Sequence, residues 1–385
     1  MGRIVLVIFS LLFPFCLFGQ LSERLDISGY FQGNPVFINA DLPPPVTKSN
    51  WMEYRLQNRL NIRMDVSESV RFHWQMRTRA FFGDLVRELP GYADGIDMDD
   101  GLVDMSWMVA SRDKWLLHYI PDRLYFRYTA DDWDVRIGRQ RVNWGINTIT
   151  NPNDIFNIYS FYDFDYRERP GSDAIRVQRY FGVSERIEFA ASPARNFRNS
   201  IFAALYGFDW GDYDMQVIGG YYRNRLAAGG GWAGNIEGAG FKGELMYYAD
   251  FEKDNGDRAT NLVVAVSGDY MFESGLFVTT EFLFNADGGM DQLTLIAEDF
   301  APDNPSLSKY QVSTQLTYPV NPLLDLIFAA IYYPDEDAVF LSPGINWSVI
   351  ENLDVQLIGQ AFTGRSDSAL SNAANLVTAS VRYSY

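Results

Sequence analysis

The sequence contains few of the residues that hold metals, form disulfides or bind nucleic acid. Its 385 residues include 1 cysteine and 2 histidines, and transition-metal centres are built mainly from these side chains. Lys and Arg number 32 against 49 Asp and Glu, for a formal net charge of −17, whereas nucleic-acid binding needs a basic face. A hydrophobic fraction of 47% excludes an intrinsically disordered chain. We therefore expect no cofactor, no metal site and no nucleic-acid partner.

Long apolar runs are confined to the start of the chain. Arg3 precedes an apolar stretch, and Gly19 supplies a small residue for cleavage. This pattern is typical of a secretory signal peptide, and the stretch is too short to anchor stably in a bilayer core of about 30 Å. Cleavage after Gly19 would also remove Cys16. We expect a signal peptide at residues 1–19 and a single domain at residues 20–385.

The rest of the chain alternates polar and apolar residues over long stretches. The odd positions of one stretch are Glu53, Arg55, Gln57, Arg59, Asn61, Arg63 and Asp65, and the polar positions of the next are Arg71, His73, Gln75, Arg77 and Arg79. A period of two predicts strands with one polar and one apolar face. Many of these strands reach the roughly 9–11 residues that a tilted strand needs to cross a membrane. Strands of soluble sandwiches are usually only about 5–6 residues long.

The predicted strands and their connections define a fold class. We predict strands at 25–38, 51–66, 69–82, 122–130, 133–144, 173–181, 186–192, 199–209, 213–225, 229–236, 240–251, 258–272, 275–285, 308–319, 323–333, 339–349, 353–363 and 375–385. Short and long links alternate between them, as in membrane barrels. We expect an all-β, transmembrane, antiparallel up-and-down barrel of about 18 strands, an even number, as single-chain bacterial barrels prefer. Sixteen strands remain an alternative if 186–192 and 229–236 are misread.

The chain ends on an alternating apolar face, Val377, Ala379, Val381, Tyr383 and Tyr385. This ending resembles the C-terminal signal that the barrel-assembly machinery recognises in outer-membrane barrels. Tyr383 and Tyr385 are therefore our candidate assembly signal.

One stretch carries a more detailed resemblance. From Val135 the chain reads VRIGRQRVNWGINTITNPNDIF, and an RPGSDA motif follows before the next strand. This stretch resembles porin-type outer-membrane proteins, including alginate-export-like barrels. The resemblance implies a location in the outer membrane of a Gram-negative bacterium, with outer-membrane lipid and lipopolysaccharide as surroundings. It also implies passive diffusion of small solutes and allows a homo-oligomer.

The polar face of the first strands predicts the lining of a pore. The candidate pore-lining residues are Arg55, Arg59, Arg63, Arg71, His73, Arg77, Arg79, Arg136 and Arg176. Guanidinium groups are always charged and bind carboxylate or phosphate in a bidentate manner, so such a wall would favour anionic or polar solutes. Alternatively, these arginines pair with Glu53, Asp65, Asp134 and loop carboxylates and stiffen or close the lumen.

A second candidate is the long link at 145–172, which is rich in Phe and Tyr. Loops of this length are usually functional or disordered, and the aromatic density favours a loop folded into the barrel. Its carboxylates, Asp154, Asp163, Asp165 and Glu168, would face the arginine wall across a constriction. The alternative is a loop that caps the outer rim or joins a subunit contact.

These features favour a channel over the other function classes. We expect passive diffusion of small polar, preferentially anionic, solutes. The alternatives are a closed structural or surface-attachment barrel, a glycan-export channel and a barrel hydrolase. A hydrolase needs a base, and His73 and His118 are the only imidazoles. Acidic loops such as the one around Asp97 and Asp99 are expected to be solvated, with divalent cations bridging them to lipopolysaccharide.

Overall fold

The computed structural model describes residues 24–40, 48–99, 101–157, 171–182, 184–251, 260–288, 300–365, 368, 370 and 374–385. The predicted signal peptide at residues 1–19 lies outside these ranges, so it and the domain boundary at residue 20 stay predictions. Among the described residues, no helix combines the length and the apolar character needed to cross a membrane.

The described chain is almost entirely β-structure. The strands are β1 Leu25–Asn39, β2 Asn50–Asp65, β3 Val70–Gly83, β4 Trp107–Arg112, β5 Trp115–Ala130, β6 Trp133–Gln140, β7 Ser172–Tyr180, β8 Arg186–Ser192, β9 Ile201–Trp210, β10 Tyr213–Tyr222, β11 Arg225–Ile236, β12 Ala239–Asp250, β13 Thr260–Met271, β14 Phe277–Asn285, β15 Tyr310–Asn321, β16 Leu324–Tyr333, β17 Ala338–Ile350, β18 Leu353–Gly364 and β19 Asn375–Ser384. Two short helices follow β3, α1 Asp84–Glu88 and α2 Tyr92–Ile96, and a 3₁₀ turn at Phe197–Asn199 precedes β9.

The strands form a closed ring. Successive strands pair antiparallel, and β19 returns to β1, where Phe31 lies opposite Tyr383. The short strand β4 stands outside this order, because β3 pairs directly with β5. β4 pairs with residues 115–119 of β5, whereas residues 124–130 of β5 pair with β6. The barrel therefore has 18 strands, as the sequence predicts, and β4 extends its wall at one end.

The two faces of the strands differ in polarity. Large apolar side chains such as Tyr54, Leu56 and Ile137 are exposed on the outer surface. The positions between them point into the barrel, where Glu53 and Gln57 are buried. An apolar outer face with a polar interior is typical of a barrel surrounded by lipid.

The two ends of the barrel carry different connections. At one end tight turns join β5 to β6, β9 to β10, β11 to β12 and β17 to β18. Glu237 and Gly238 have φ angles of 51° and 91°, which a two-residue hairpin turn of type I′ requires. The opposite end carries the long links 84–106, 141–171 and 286–309. Short turns face the periplasm in outer-membrane barrels, so we assign the long links to the outer side.

The C-terminal residue packs on the outer surface at the barrel seam. Its ring covers Gly29, where an added Cβ would lie 2.6 Å from the Tyr385 hydroxyl oxygen. That hydroxyl accepts from Asn58 Nδ2 at 3.0 Å and donates to the Arg59 carbonyl oxygen at 3.2 Å. The hydroxyl thus gives the Asn58 amide nitrogen a hydrogen-bond partner on the apolar face. Recognition of Tyr383 and Tyr385 by the assembly machinery stays a prediction.

Several predicted boundaries need correction, and two of the differences have a clear structural reason. The interval 83–121 was expected to be a loop, but it contains β4, α1, α2 and the first half of β5. Its residues 115–121 do not alternate in polarity, because Leu116 packs inside the barrel while a bulge shifts the register near Pro121. The strand predicted at 133–144 ends at Gln140, since Val142 and Trp144 turn into the interior core.

Candidate functional site

The inner surface of β2, β3 and β5 to β7 carries rows of arginines, which we call the arginine wall. Cross-strand pairing places Arg71, Arg127, Arg136 and Arg176 in one row across four successive strands. Like charges directly opposite each other destabilise a sheet. This row therefore needs carboxylates between its members.

Three acidic residues supply those carboxylates. Asp65 binds Arg71 at 2.5 Å, and Asp134 binds both Arg127 at 2.5 Å and Arg136 at 2.9 Å. Glu188 on β8 binds Arg176 through both carboxylate oxygens, at 2.6 and 2.7 Å. The row is thus a network in which arginines alternate with carboxylates.

A β-bulge places another carboxylate in the wall, nearer the end of the barrel that carries the long links. The register shifts between Gln75 and Met76, which lie opposite Arg123 and Pro121, so Asp122 is the extra residue. Bulges commonly re-aim a side chain. Here the Asp122 carboxylate contacts Arg59 Nη1 and lies 3.0 Å from Arg77 Nε. All three side chains are almost completely buried.

The residues 141–157 enter the barrel, and we call them the inward segment. Glu244 on β12 accepts hydrogen bonds from the backbone N–H groups of Ile146, of Asn147 at 2.6 Å and of Asn153 at 2.8 Å. Glu281 on β14 accepts the Thr150 N–H through both oxygens at 3.1 Å. Two carboxylates of the wall opposite the arginines therefore hold this segment by its backbone.

An apolar core fills the space behind the inward segment. Trp144 is buried, meets Phe156 edge to face at 5.0 Å, and donates from Nε1 to Glu188 at 2.5 Å. The cluster consists of Val142, Trp144, Ile155, Phe156, Ala174, Ala190, Ile201, Ala203, Leu205, Ile218, Tyr222, Ala227, Met246, Tyr248, Val263, Ala265 and Leu283. The β7 to β14 side of the interior is therefore packed like a protein core. In the part of the chain that the structure describes, open space lies toward the other side.

That open space is a cavity of about 970 Å³ at the outer end of the barrel. Arg55, Arg77 and Arg79 line one side of it, together with Glu53 and Asp122. Apolar residues complete its wall, among them Ile38, Trp51, Phe81, Leu85, Ile155, Phe156, Phe340, Phe362 and Leu376. The cavity can hold a small solute between a charged face and an apolar face.

A buried arginine fixes the long link after β3 beside the cavity. Arg139 binds Asp99 through Nη1 and Asp173 through Nε, each at 2.8 Å, and donates to the Val103 carbonyl at 2.8 Å. Burial raises the pKa of Asp99, but hydrogen bonds from Arg139 and from backbone N–H groups outweigh it and hold the pKa below its ordinary value. Asp99 therefore anchors the loop, which corrects the expectation of a solvated residue.

The contacts of both histidines fit a structural role rather than a catalytic one. His73 stacks on Tyr125, with ring centroids 4.6 Å apart. His118 Nδ1 lies 3.1 Å from Arg79 Nη2, which can only donate. The proton of a neutral His118 is then on Nε2, where it donates to Ser106 Oγ at 2.7 Å, and Ser106 donates to Asp97 at 2.8 Å. For a serine to act as a nucleophile, the histidine must accept the proton of the serine hydroxyl. Here His118 donates to Ser106, so Ser106, His118 and Asp97 lack a catalytic base.

The structure places the predicted pore residues at different levels of one wall. Arg55, Arg77 and Arg79 line the cavity, and Arg59 is buried next to Asp122. The remaining ones, Arg63, Arg71, His73, Arg136 and Arg176, lie nearer the short-turn end on the same face.

Of the predicted loop carboxylates, one is described. Asp154 is buried in the inward segment, and its carboxylate lies 4.0 Å from Arg141 of the same segment. Asp163, Asp165 and Glu168 lie outside the described residues. Within the described ranges, no group of three or more metal-ligating side chains is close enough to hold a metal ion.

Several charged residues of the lumen were not identified from the sequence. Asp122 sits at a bulge, which period-two alternation does not reveal. Glu244 and Glu281 lie 98 and 131 residues from their partners Ile146 and Thr150, so no local pattern connects them. Arg127 could have been found, because it alternates with apolar residues on β5.

Together, the closed barrel, its apolar exterior and its charged lumen define a β-barrel of the porin type. Solved structures with a similar fold include the following three. OccAB3 of Acinetobacter baumannii is 11% identical, with a TM-score of 0.60 over 94% of this chain and 99% of that chain. OccAB4 of the same organism is 8% identical, with a TM-score of 0.59 over 95% and 100% of the two chains. OccK11 (OpdR) of Pseudomonas aeruginosa is 12% identical, with a TM-score of 0.56 over 96% and 99%.

The sequence itself matches no family model. It also matches no curated protein. The fold is therefore the property that this chain shares with known proteins.

Proposed function

We propose that the protein is a passive channel in the outer membrane of a Gram-negative bacterium and that it conducts small polar solutes. One observation carries this proposal. The inward segment fills one side of a closed barrel and leaves a cavity against the arginine wall. A lumen narrowed in this way can select solutes by size and charge. The chain shares its barrel fold with OccAB3 and OccK11, and a closed barrel of this kind fits a channel.

We also propose a preference for anions. Arg55, Arg77 and Arg79 lie in the cavity lining, and guanidinium groups attract carboxylates and phosphates. The carboxylates of Glu53, Asp99, Asp122 and Asp173, which also line the cavity, offset part of this charge. We therefore expect moderate selectivity, with anions favoured over cations of similar size.

A closed structural barrel is the second candidate. The observation in its favour is the extent of ion pairing: Asp122 holds Arg59 and Arg77, and Asp134 holds Arg127 and Arg136. Such networks stiffen a lumen and can close it. Attachment of a surface polymer or a partner protein would then replace transport.

Liposome swelling separates the two candidates. Proteoliposomes containing the folded protein are placed in isotonic solutions of a neutral sugar, a monocarboxylate and an amine of similar size. A channel gives swelling rates above those of protein-free liposomes, with the carboxylate ahead of the amine. Protein-free rates for every solute would favour the closed barrel.

The proposed partners follow from the location. We expect outer-membrane lipid and lipopolysaccharide around the apolar exterior, insertion by the barrel-assembly machinery through the C-terminal strand, and identical subunits as neighbours. Each of these partners remains a proposal. Chemical crosslinking in native membranes would test them together.

A further inference from the structure

The carboxylates of the wall opposite the arginines are hidden from the cavity. Glu244 and Glu281 have exposed fractions of 0% and 1%. Residues 155–157 of the inward segment line the cavity, whereas neither glutamate does. Both glutamates instead bind backbone N–H groups of residues 146–153.

The segment also covers the strand between these two glutamates. Asn147 donates from Nδ2 to the Ala265 carbonyl at 3.3 Å and accepts from Ser267 Oγ at 2.9 Å. On β13, Ala265 lies opposite Glu244, and Ser267 lies opposite Glu281. The cover therefore extends continuously from β12 to β14.

We propose that the inward segment determines charge selectivity by shielding Glu244 and Glu281 from the solute path. Peptide N–H groups hydrogen-bond to the two carboxylates, and the segment lies between them and the cavity, so these two negative charges do not face the arginine wall across the path. Glu244 and Glu281 thus affect the charge selectivity of the channel only when the inward segment no longer covers them. This inference rests on the proposed channel function and adds a second source of anion preference beside the arginines.

Proline substitutions can weaken the shield without changing any charge, because proline lacks the N–H donor. Thr150→Pro removes the Thr150 donors to Glu281 but leaves the Ile149 N–H, and Asn153→Pro removes one of three backbone donors to Glu244. Thr148→Pro is the matched control, since Thr148 lies on the exposed side of the same segment. The Thr150→Pro/Asn153→Pro pair is then combined with Glu244→Gln/Glu281→Gln.

The readouts are single-channel conductance and reversal potential of the full, folded protein in a planar bilayer. The proline pair should raise conductance and change the permeability ratio toward cations by roughly twofold or more. The glutamine pair should also loosen the segment and raise conductance, but without a change toward cations. The combination of all four should behave like the glutamine pair, because the carboxylates are gone.

Comparison of these variants distinguishes charge shielding by the inward segment from a role in which the segment only sets the width of the lumen. If the proline pair raises conductance and leaves the permeability ratio at the wild-type value, the shielding inference is wrong although the channel stands. The same conclusion follows if the change toward cations persists after both glutamates are replaced. A folded wild-type protein that does not conduct would instead overturn the proposed function on which the inference rests.

Discussion

Replacing Asp122 by Asn tests the wall most sharply, because one carboxylate holds two buried arginines. It contacts Arg59 Nη1 and lies 3.0 Å from Arg77 Nε. At about 4 Å and an effective dielectric constant of about 20, each pair contributes roughly 4 kcal/mol of Coulomb attraction before the cost of desolvation. Removing one partner of a buried pair typically costs about 3–5 kcal/mol of folding free energy. We expect a loss in this range for Asp122→Asn.

The matched control is Asp65→Asn, which breaks the pair with Arg71. The side chains of that pair are 38% and 40% exposed, and exposed pairs contribute little. Guanidinium unfolding followed by tryptophan fluorescence gives the free energies of both variants. In bilayers, Asp122→Asn should also strengthen anion preference, since it removes a negative charge from the cavity lining. Equal stability losses in the two variants, or a change toward cations, would refute the reasoning.

Three further predictions follow from the same structure. Arg55→Ala with Arg79→Ala removes two positive charges from the cavity lining and should move the reversal potential toward cation preference. The pKa of Asp99 is held below its ordinary value of 3.8. Its anchoring of the loop is therefore complete above pH 3.8 and is lost as the pH falls through the lowered pKa. Hydrogen exchange of residues 97–105 would detect this loss. Tyr385→Phe removes hydrogen bonds to Asn58 and to a carbonyl and should lower stability by about 1–2 kcal/mol in the same unfolding assay.

Each of these predictions has an outcome that contradicts it. An unchanged reversal potential in the double arginine variant would place the selecting charges elsewhere. Uniform exchange protection of residues 97–105 down to pH values well below 3.8 would show that Asp99 does not fix the loop. For the C-terminal tyrosine, the control is Tyr383→Phe, whose side chain is 50% exposed. Equal stability of the two tyrosine variants would exclude the seam contact as a stabilising feature.

Much of the barrel could be predicted from polarity alone. Alternation of period two identifies each membrane-crossing strand without knowledge of its neighbours, because lipid and lumen impose opposite polarity on the two faces. The turn at Glu237 and Gly238 confirms that 229–251 contains two strands. The aromatic density of the 145–172 link likewise indicated an inward loop, and the structure confirms this for residues 145–157.

The chemistry of the site was less predictable, because it depends on contacts between distant strands. Sequence alone placed Arg59 and Arg77 on the lumen face and offered several carboxylates as partners, but it did not identify Asp122, since a bulge determines where Asp122 points. Glu244 and Glu281 read as ordinary polar positions of their strands. Their role arises only when closure of the barrel brings β12 and β14 against the inward segment.

The most direct test of the whole account is the single-channel conductance of the folded wild-type protein in a planar bilayer, with its reversal potential under a salt gradient. We predict stable current steps and a reversal potential that indicates preference for anions. Absence of conductance from a correctly folded barrel would contradict the channel. Stable conductance with cation preference would contradict the roles assigned to the arginine wall and to the shielded glutamates.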